Sequence, residues 1–370
     1  MKKFLVYGLS NNWGGIESIV MSMVSILSKD NKFDVIQAEG LTSYEDKYNN
    51  KNIRFLHIPA WGKNRKEYSN ALVNLFLANQ YDYVWINSSL MANRTIITIT
   101  KKYSKARIIT HSHGSSFEGK NKLKRLILLT LHKINRRCYY KNVDYPCMCS
   151  RKSGIWFYGL EYVMNNEVHY VKNGIDTEKY KYDESTRQIY RNQLGVKDKF
   201  VLFHAGRLTV VKNQQMILRI FADFHKSVNE SILLIAGDGE LRKELEQYSK
   251  DLGIIEQVRF LGNRDDIDKL YQAADVMMLP SFHEGFPVTL TEAQTSGLPC
   301  LVSDKVSDET NITGKVEFLS IERGDCEWVN ALQKIKANPD FNRKDAVLKV
   351  RQEGFDVKTV CKEFINFLNK

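Results

Sequence analysis

Residues 200–236 read FVLFHAGRLTVVKNQQMILRIFADFHKSVNESILLIA. The short apolar run Phe200–Ala205 reads as a strand, Gln214–His225 as a helix, and Ser231–Ala236 as a second strand. Downstream the alternation continues. Gly239–Leu252 reads as a helix, Gln257–Leu261 as a strand, Asp265–Ala274 as a helix, Val276–Pro280 as a strand, Val288–Ser296 as a helix and Pro299–Ser303 as a strand. Strands alternating with helices make βαβ units and a parallel sheet. Upstream the same pattern is looser, with strands expected at Phe4–Leu9, Asp34–Ala38, Asn52–His57, Tyr83–Asn87 and Arg107–His111, and helices at Ser18–Lys29 and Lys66–Ala78. Two successive series suggest two doubly wound α/β domains with a boundary near Asn173-Gly174. The chain's 370 residues suit that number. The spans expected are 1–172, 173–355, and a last segment, 356–370, whose helix Val357–Leu368 returns to the first domain.

Composition excludes several classes. With 43% hydrophobic and 26% charged residues the chain is an ordinary globular one. No apolar run approaches the ~20 residues of a spanning helix. The opening Met1-Lys2-Lys3 precedes an apolar run that ends at Leu9, which reads as a first strand rather than a signal peptide, so a cytoplasmic address is expected. The six cysteines contain no CxxC pair, and neither a disulfide framework nor a zinc site is indicated.

The net charge of +11 is uneven. Residues 1–170 hold 25 Lys and Arg against 12 Asp and Glu; residues 171–370 hold 29 against 31. The densest stretch, Lys120 to Lys141, carries Lys120, Lys122, Lys124, Arg125, Lys133, Arg136, Arg137 and Lys141 and no acid, interleaved with Leu123, Leu126, Ile127, Leu129, Leu131 and Ile134. A basic amphipathic helix fits an anionic membrane surface. The alternative is a core helix with a solvated outer face. No nucleic-acid motif accompanies the basic stretch, and nucleic acid is not expected as a partner.

In open parallel sheets ligands bind at the carboxyl ends of the strands, so the following loops carry the candidate chemistry. After the first strand, Gly14-Gly15 opens a helix, where free N–H groups favour an anion; the spacing is not the GxGxxG of nicotinamide enzymes. After Ala205, Arg207 and Lys212 can clamp a diphosphate, or stand as solvated cations. His283-Glu284-Gly285-Phe286-Pro287 leads into a helix carrying Glu292, so two carboxylates lie seven intervening residues apart, suited to sugar hydroxyls. Otherwise Glu292 forms a salt bridge and Glu284 is a surface acid. Thr110-His111-Ser112-His113-Gly114 puts two histidines at another strand end, to touch substrate or to pack. Asp266-Ile267-Asp268 has the form of a metal-binding DxD, but at the start of an expected helix it reads as helix N-terminal acids.

Together Gly206-Arg207-Leu208 with Lys212-Asn213, Gly237-Asp238-Gly239, Phe260-Leu261-Gly262, Ala274-Asp275-Val276, Pro280-Ser281 and the Glu284/Glu292 pair resemble glycosyltransferase family 4, densely from about 171 to 305 and including Asn173-Gly174-Ile175-Asp176. Gly14-Gly15-Ile16-Glu17 and His111-Ser112-His113-Gly114 carry the sparser likeness upstream. The resemblance is strongest to bacterial capsule and exopolysaccharide transferases. It implies the GT-B fold, two Rossmann-like domains facing a central cleft, an acceptor-binding first domain and a nucleotide-sugar-binding second one. It implies a retaining transfer of a hexose-type sugar, with a UDP-sugar as expected donor and no metal or other cofactor, onto a lipid-linked saccharide. The protein is then expected at the inner face of the plasma membrane. Arg207 and Lys212 would hold the diphosphate, Glu292 the ribose hydroxyls and Glu284 a hydroxyl of the transferred sugar. Gly285, Phe286 and the neighbours of Pro287 would offer backbone N–H groups. Gly14 and Gly15 would approach the phosphates and Asn263 the base. His113, with His111 as fallback, would be the histidine of the first domain. A same-fold epimerase or hydrolase, or a non-catalytic sugar-nucleotide-binding protein at the membrane, are the rival readings.

Overall fold

The computed structural model describes residues 1–40, 44–117, 122–338 and 342–370; Lys120, at the head of the basic stretch, lies outside them. The chain divides into two compact units, Met1–Gly174 with Val357–Lys370, and Ile175–Asp356. Each is a doubly wound α/β domain around one parallel sheet, the pair of Rossmann-like folds of a GT-B chain.

The first unit's strands are β1 (Lys3–Tyr7), β2 (Lys32–Ala38), β3 (Ile53–Ile58), β4 (Tyr83–Ser88), β5 (Arg107–Ser112), β6 (Tyr145–Met148) and β7 (His169–Tyr170). They lie in the order β3-β2-β1-β4-β5-β6-β7, parallel throughout. Central strands buried on both faces read as continuous apolar runs, and Phe4, Leu5 and Val6 of β1 are fully buried. The closing helix Val357–Leu368 belongs to this unit: Phe364 lies against Trp85 with ring centroids 5.0 Å apart, and the Tyr83 hydroxyl donates to the Leu368 carbonyl at 3.1 Å.

The second unit adds β8 (Phe200–Ala205), β9 (Ser231–Ala236), β10 (Val258–Gly262), β11 (Val276–Leu279), β12 (Cys300–Ser303) and β13 (Val316–Leu319) in the order β10-β9-β8-β11-β12-β13. Its core packs β8, β9 and β11 against the helix Gln214–Ser227, whose Met216, Ile217, Ile220, Phe221 and Phe224 form the buried face. Trp328, on the helix Cys326–Ala337, closes that core and donates its indole N–H to the Ser320 carbonyl at 2.9 Å.

Replacing Phe364 by Ala removes a ring that is 1% exposed. Loss of a buried Phe costs about 3–5 kcal/mol. The first unit is expected to unfold at markedly lower urea, followed by Trp85 fluorescence, with unfolding of the second unit unshifted.

Candidate functional site

Parallel pairing brings every loop that follows a strand of the second sheet to one edge, and three of these loops are stitched together there. Gly206 N–H donates to the Ala236 carbonyl at 3.0 Å, Leu208 N–H to that of Asp238 at 3.0 Å, and Gly237 N–H to that of Gly262 at 2.7 Å. The approach is close enough to require glycine. At Gly237, φ is +126° and a Cβ would fall 2.1 Å from the Gly206 oxygen; at Gly239 it would fall 2.3 Å from that of Leu208.

The loop after β8 also meets the loop after β11. Phe282 N–H donates to the Val211 carbonyl at 2.9 Å, and Asn213 Nδ2 to that of Pro280 at 3.1 Å. Asn213 holds a left-handed φ of 54° to turn the chain into its helix. These ties bring Lys212 Nζ to 2.5 Å from Glu284 Oε1, with both side chains less than one-fifth exposed. The stem of Lys212 lies over Gly206, where a Cβ would stand 3.5 Å from its Cε. Gly285, Phe286 and Pro287 are buried; Phe286 stacks on Phe355 at 5.2 Å. Pro287 is the N-cap of the helix Val288–Thr295 rather than its first residue. Ser281 Oγ and Thr289 Oγ1, on either side of Glu284 in the chain, are buried and have no hydrogen-bond partner among the described residues. Polar capacity of that kind is normally used.

Glu292 sits in that helix, 7% exposed. Its Oε1 accepts from the Tyr180 hydroxyl at 2.8 Å and its Oε2 from the Tyr271 hydroxyl at 3.0 Å. Burial raises its pKa above the carboxylate range, opposed by both phenols and by Lys179. Arg207 is exposed, and its guanidinium makes no ion pair among the described residues; its carbonyl accepts from Gln214 Nε2 at 2.9 Å. Asn263 is likewise exposed, beyond Gly262. The structure thus joins Lys212 to Glu284, while Glu292 is bound to two tyrosines and Arg207 and Asn263 reach into solvent. Asp266 takes a bidentate contact from Arg264, at 2.8 and 2.6 Å, and accepts from the Tyr190 hydroxyl at 2.9 Å. It is occupied as a helix N-terminal acid. Among the described residues no group of three or more His, Cys, Asp or Glu is arranged to hold a metal.

Three participants escaped the sequence reading. His204 is fully buried at the end of β8, with Nδ1 2.9 Å from the Met278 carbonyl and Nε2 3.1 Å from Gln214 Nε2. Burial lowers its pKa to about 4, so it is neutral beside Lys212. The tyrosine partners of Glu292 carry no local signal, since Tyr180 lies 112 residues away in sequence.

In the first unit, the loop after β1 makes its close approach at Gly8: φ is +99° and a Cβ would fall 1.9 Å from the Asn87 oxygen. Gly14, by contrast, is the extended N-cap of the helix Gly15–Leu27. Glu17 in that helix's first turn accepts from Ser10 N–H at 2.7 Å and shapes the loop. His113 follows β5, its Nε2 3.0 Å from Asn87 Oδ1 and its ring centroid 4.0 Å from that of His111. Asn87 Oδ1 can only accept, so Nε2 carries the proton and Nδ1 keeps its lone pair. His113 retains some exposed surface, yet its ring is enclosed enough that burial holds its pKa at about 3. His111 is fully buried and its pKa is likewise held well below the ordinary range, by desolvation and by His113.

Residues 186–346 match the family model described as Glycosyl transferases group 1. The chain is similar to the putative glycosyltransferase EpsF of Bacillus subtilis, 27% identical over 371 residues, 97% of this chain and 94% of that one. The Escherichia coli UDP-Gal:alpha-D-GlcNAc-diphosphoundecaprenol alpha-1,3-galactosyltransferase is 29% identical over 283 residues, 74% of this chain and 70% of that one. Among solved structures, Anabaena HepE, crystallised in complex with UDP and glucose, aligns over the full length of both chains with a TM-score of 0.81 at 19% identity. That likeness speaks for the fold. The chain is a glycosyltransferase of the GT-B fold.

The depressed histidines of the first unit, His111 and His113 together with His132 and His169, set a pH dependence. The unfolded chain takes up protons near pH 6.5, whereas the native first unit resists them to about pH 3 at His113. Their contribution is therefore complete above pH 6.5 and lost as the pH falls through that window. The melting temperature is expected to drop between pH 7.5 and pH 5, and to drop less in His113→Asn. Parallel slopes for the two proteins would contradict this assignment.

Proposed function

We propose that the protein transfers a hexose-type sugar from a UDP-sugar to a lipid-linked saccharide, with retention at the anomeric carbon, in capsule or exopolysaccharide assembly. The observation that carries this reading is the edge of the second sheet, where backbone ties between the loops after β8 and β11 bring Lys212 to Glu284 and the helix that follows carries Glu292. The bound UDP named for HepE and the UDP-Gal and diphosphoundecaprenol named for the E. coli relative support donor and acceptor class.

In this reading the second unit binds the donor and the first the acceptor. Arg207 and Lys212 neutralise charge growing on the departing diphosphate, an electrostatic role that requires no metal. Arrival of the diphosphate draws Lys212 from Glu284, freeing that carboxylate for a hydroxyl of the sugar. Glu292 takes the ribose hydroxyls, Asn263 approaches the base, and the backbone of Gly285, Phe286 and the residues after Pro287 donates to the donor. In the first unit, Gly14 and Gly15 are read as a phosphate-approaching turn, and neutral His113 as offering Nδ1 to a sugar hydroxyl. The C1–O bond to phosphate breaks with its electron pair leaving on UDP. The acceptor hydroxyl attacks from the same face, and its proton passes to the departing phosphate oxygen. Glu292→Ala or Lys212→Ala is expected to abolish transfer with the melting temperature little changed, and the wild-type product to show a retained linkage by NMR. Wild-type turnover in either variant, or an inverted linkage, contradicts the reading; UDP release without acceptor identifies a hydrolase.

The acceptor's lipid places the enzyme at the inner face of the plasma membrane, and the helix Lys122–Asn142 supports this. Its amphipathicity is inverted. The buried residues are His132, Asn135 and Tyr139; Asn135 Nδ2 donates to the Met91 and Ala92 carbonyls, and the Tyr139 hydroxyl to that of Asn93. Outward stand Leu123, Leu126, Ile127 and Ile134, each more than half exposed, among Lys122, Lys124, Arg125, Lys133 and Arg137. Apolar side chains flanked by cations suit an anionic bilayer. Arg136 is excluded from this surface because it donates to the Trp156 and Phe157 carbonyls. Replacing those five exposed cations with Glu is expected to abolish cosedimentation with phosphatidylglycerol vesicles while leaving UDP binding intact. Unchanged cosedimentation refutes the membrane role.

A further inference from the structure

Glu292 is a carboxylate with no lysine or arginine in direct contact among the described residues. Each of its oxygens instead takes one phenol: Oε1 that of Tyr180 and Oε2 that of Tyr271. The three side chains come from three helices, Thr177–Tyr180, Ile267–Ala273 and Val288–Thr295. Each phenol is fixed independently of the carboxylate. Tyr180 ends a turn that Asp176 caps through the N–H groups of Glu178 and Lys179. The Thr177 hydroxyl in that turn is bonded to Asp356, and Arg351 Nε donates to it at 2.9 Å. Tyr271 meets Phe203 edge-on at 5.2 Å, and its carbonyl accepts from the buried guanidinium of Arg343 at 2.8 Å. The rings of Tyr180 and Tyr271 cross at 6.1 Å.

The geometry points to Tyr180 and Tyr271 as positioning residues that orient Glu292 for a vicinal diol. This rests on the reading of Glu292 as the ribose-binding group. An ionised carboxylate has about four acceptor sites, two on each oxygen. One phenol on each oxygen fixes the carboxylate plane and leaves one acceptor per oxygen, which matches two neighbouring hydroxyls. A lysine or arginine in place of the phenols would neutralise the carboxylate and take up more of its acceptor sites. Burial and the neighbouring Glu292 charge push both phenols far above their ordinary range, so both remain donors at working pH. The Tyr271 hydroxyl also lies 3.1 Å from the Thr289 carbonyl, so its proton is shared, whereas Tyr180 serves Glu292 alone.

The test compares binding of UDP and 2′-deoxy-UDP by calorimetry in the wild type, Tyr180→Phe, Tyr271→Phe, the double variant and Glu292→Ala. The readout is the ratio of the two dissociation constants, which a merely structural loss would not move because it weakens both ligands alike. Wild type is expected to prefer UDP and Glu292→Ala to lose that preference. Tyr180→Phe should narrow the ratio about tenfold, as expected for a hydrogen bond to a charged group. Tyr271→Phe should narrow it less, and the double variant should approach Glu292→Ala. If Glu292→Ala keeps the wild-type ratio, the ribose assignment itself fails. If Glu292→Ala loses the ratio while Tyr180→Phe keeps it, the positioning role fails alone. Should the double variant unfold, as thermal denaturation would show, Tyr180→Phe decides the matter, since it removes one oxygen and one hydrogen bond.

Discussion

Parallel strand pairing is the constraint from which the rest follows. When every strand of a sheet points the same way, each loop that follows a strand emerges at one edge and each that precedes it at the other. In the second unit this gathers the chain after β8, β9, β10 and β11 onto a single rim, although these segments span most of eighty residues. Side chains far too distant in sequence to find one another locally become neighbours there. What remains is to hold the rim tightly, and this falls to backbone contacts that tolerate no Cβ, at Gly237 and Gly239 above all.

On that rim, charge is handled in two ways. Lys212 and Glu284 satisfy each other directly, ammonium against carboxylate. Glu292 is deeper and, among the described residues, is met at its two oxygens by neutral donors. Burying a carboxylate without a cation is costly, and the raised pKa of Glu292 is the sign of that cost. The first unit handles charge in a third way: His111 and His113 are kept neutral by enclosure, each presenting one N–H and one lone pair rather than an imidazolium.

Legibility in the sequence follows the same physics. The strands Phe200–Ala205 and Ser231–Ala236 coincide with β8 and β9 because they are buried on both faces and bounded by glycine or turn residues. The helix Val357–Leu368 is equally plain, as its apolar residues keep one face. The strand Tyr145–Met148 contains Pro146 and only four residues, and the strand His169–Tyr170 only two, so neither has a periodicity to read. The Lys212 and Glu284 candidates were readable as residue types at strand ends; their mutual contact depends on backbone ties across 72 residues. The tyrosines around Glu292 were not readable, since nothing local distinguishes Tyr180 from a core aromatic. In the helix Lys122–Asn142 the sequence shows the basic and apolar residues, but only the fold reveals that His132, Asn135 and Tyr139 face inward.

The closing helix also has a consequence for how the polypeptide matures. Phe364 completes the packing around Trp85, and Leu368 receives the Tyr83 hydroxyl, yet this segment is translated after the entire second unit. Domains ordinarily fold in the order of synthesis. Here the earlier one must wait, its sheet missing a cover, until the ribosome has delivered Val357–Lys370. The later unit, self-contained between Ile175 and Asp356, can reach its native state first, so a nascent chain stalled before Val357 leaves an open hydrophobic surface at its amino-terminal end for chaperones to guard.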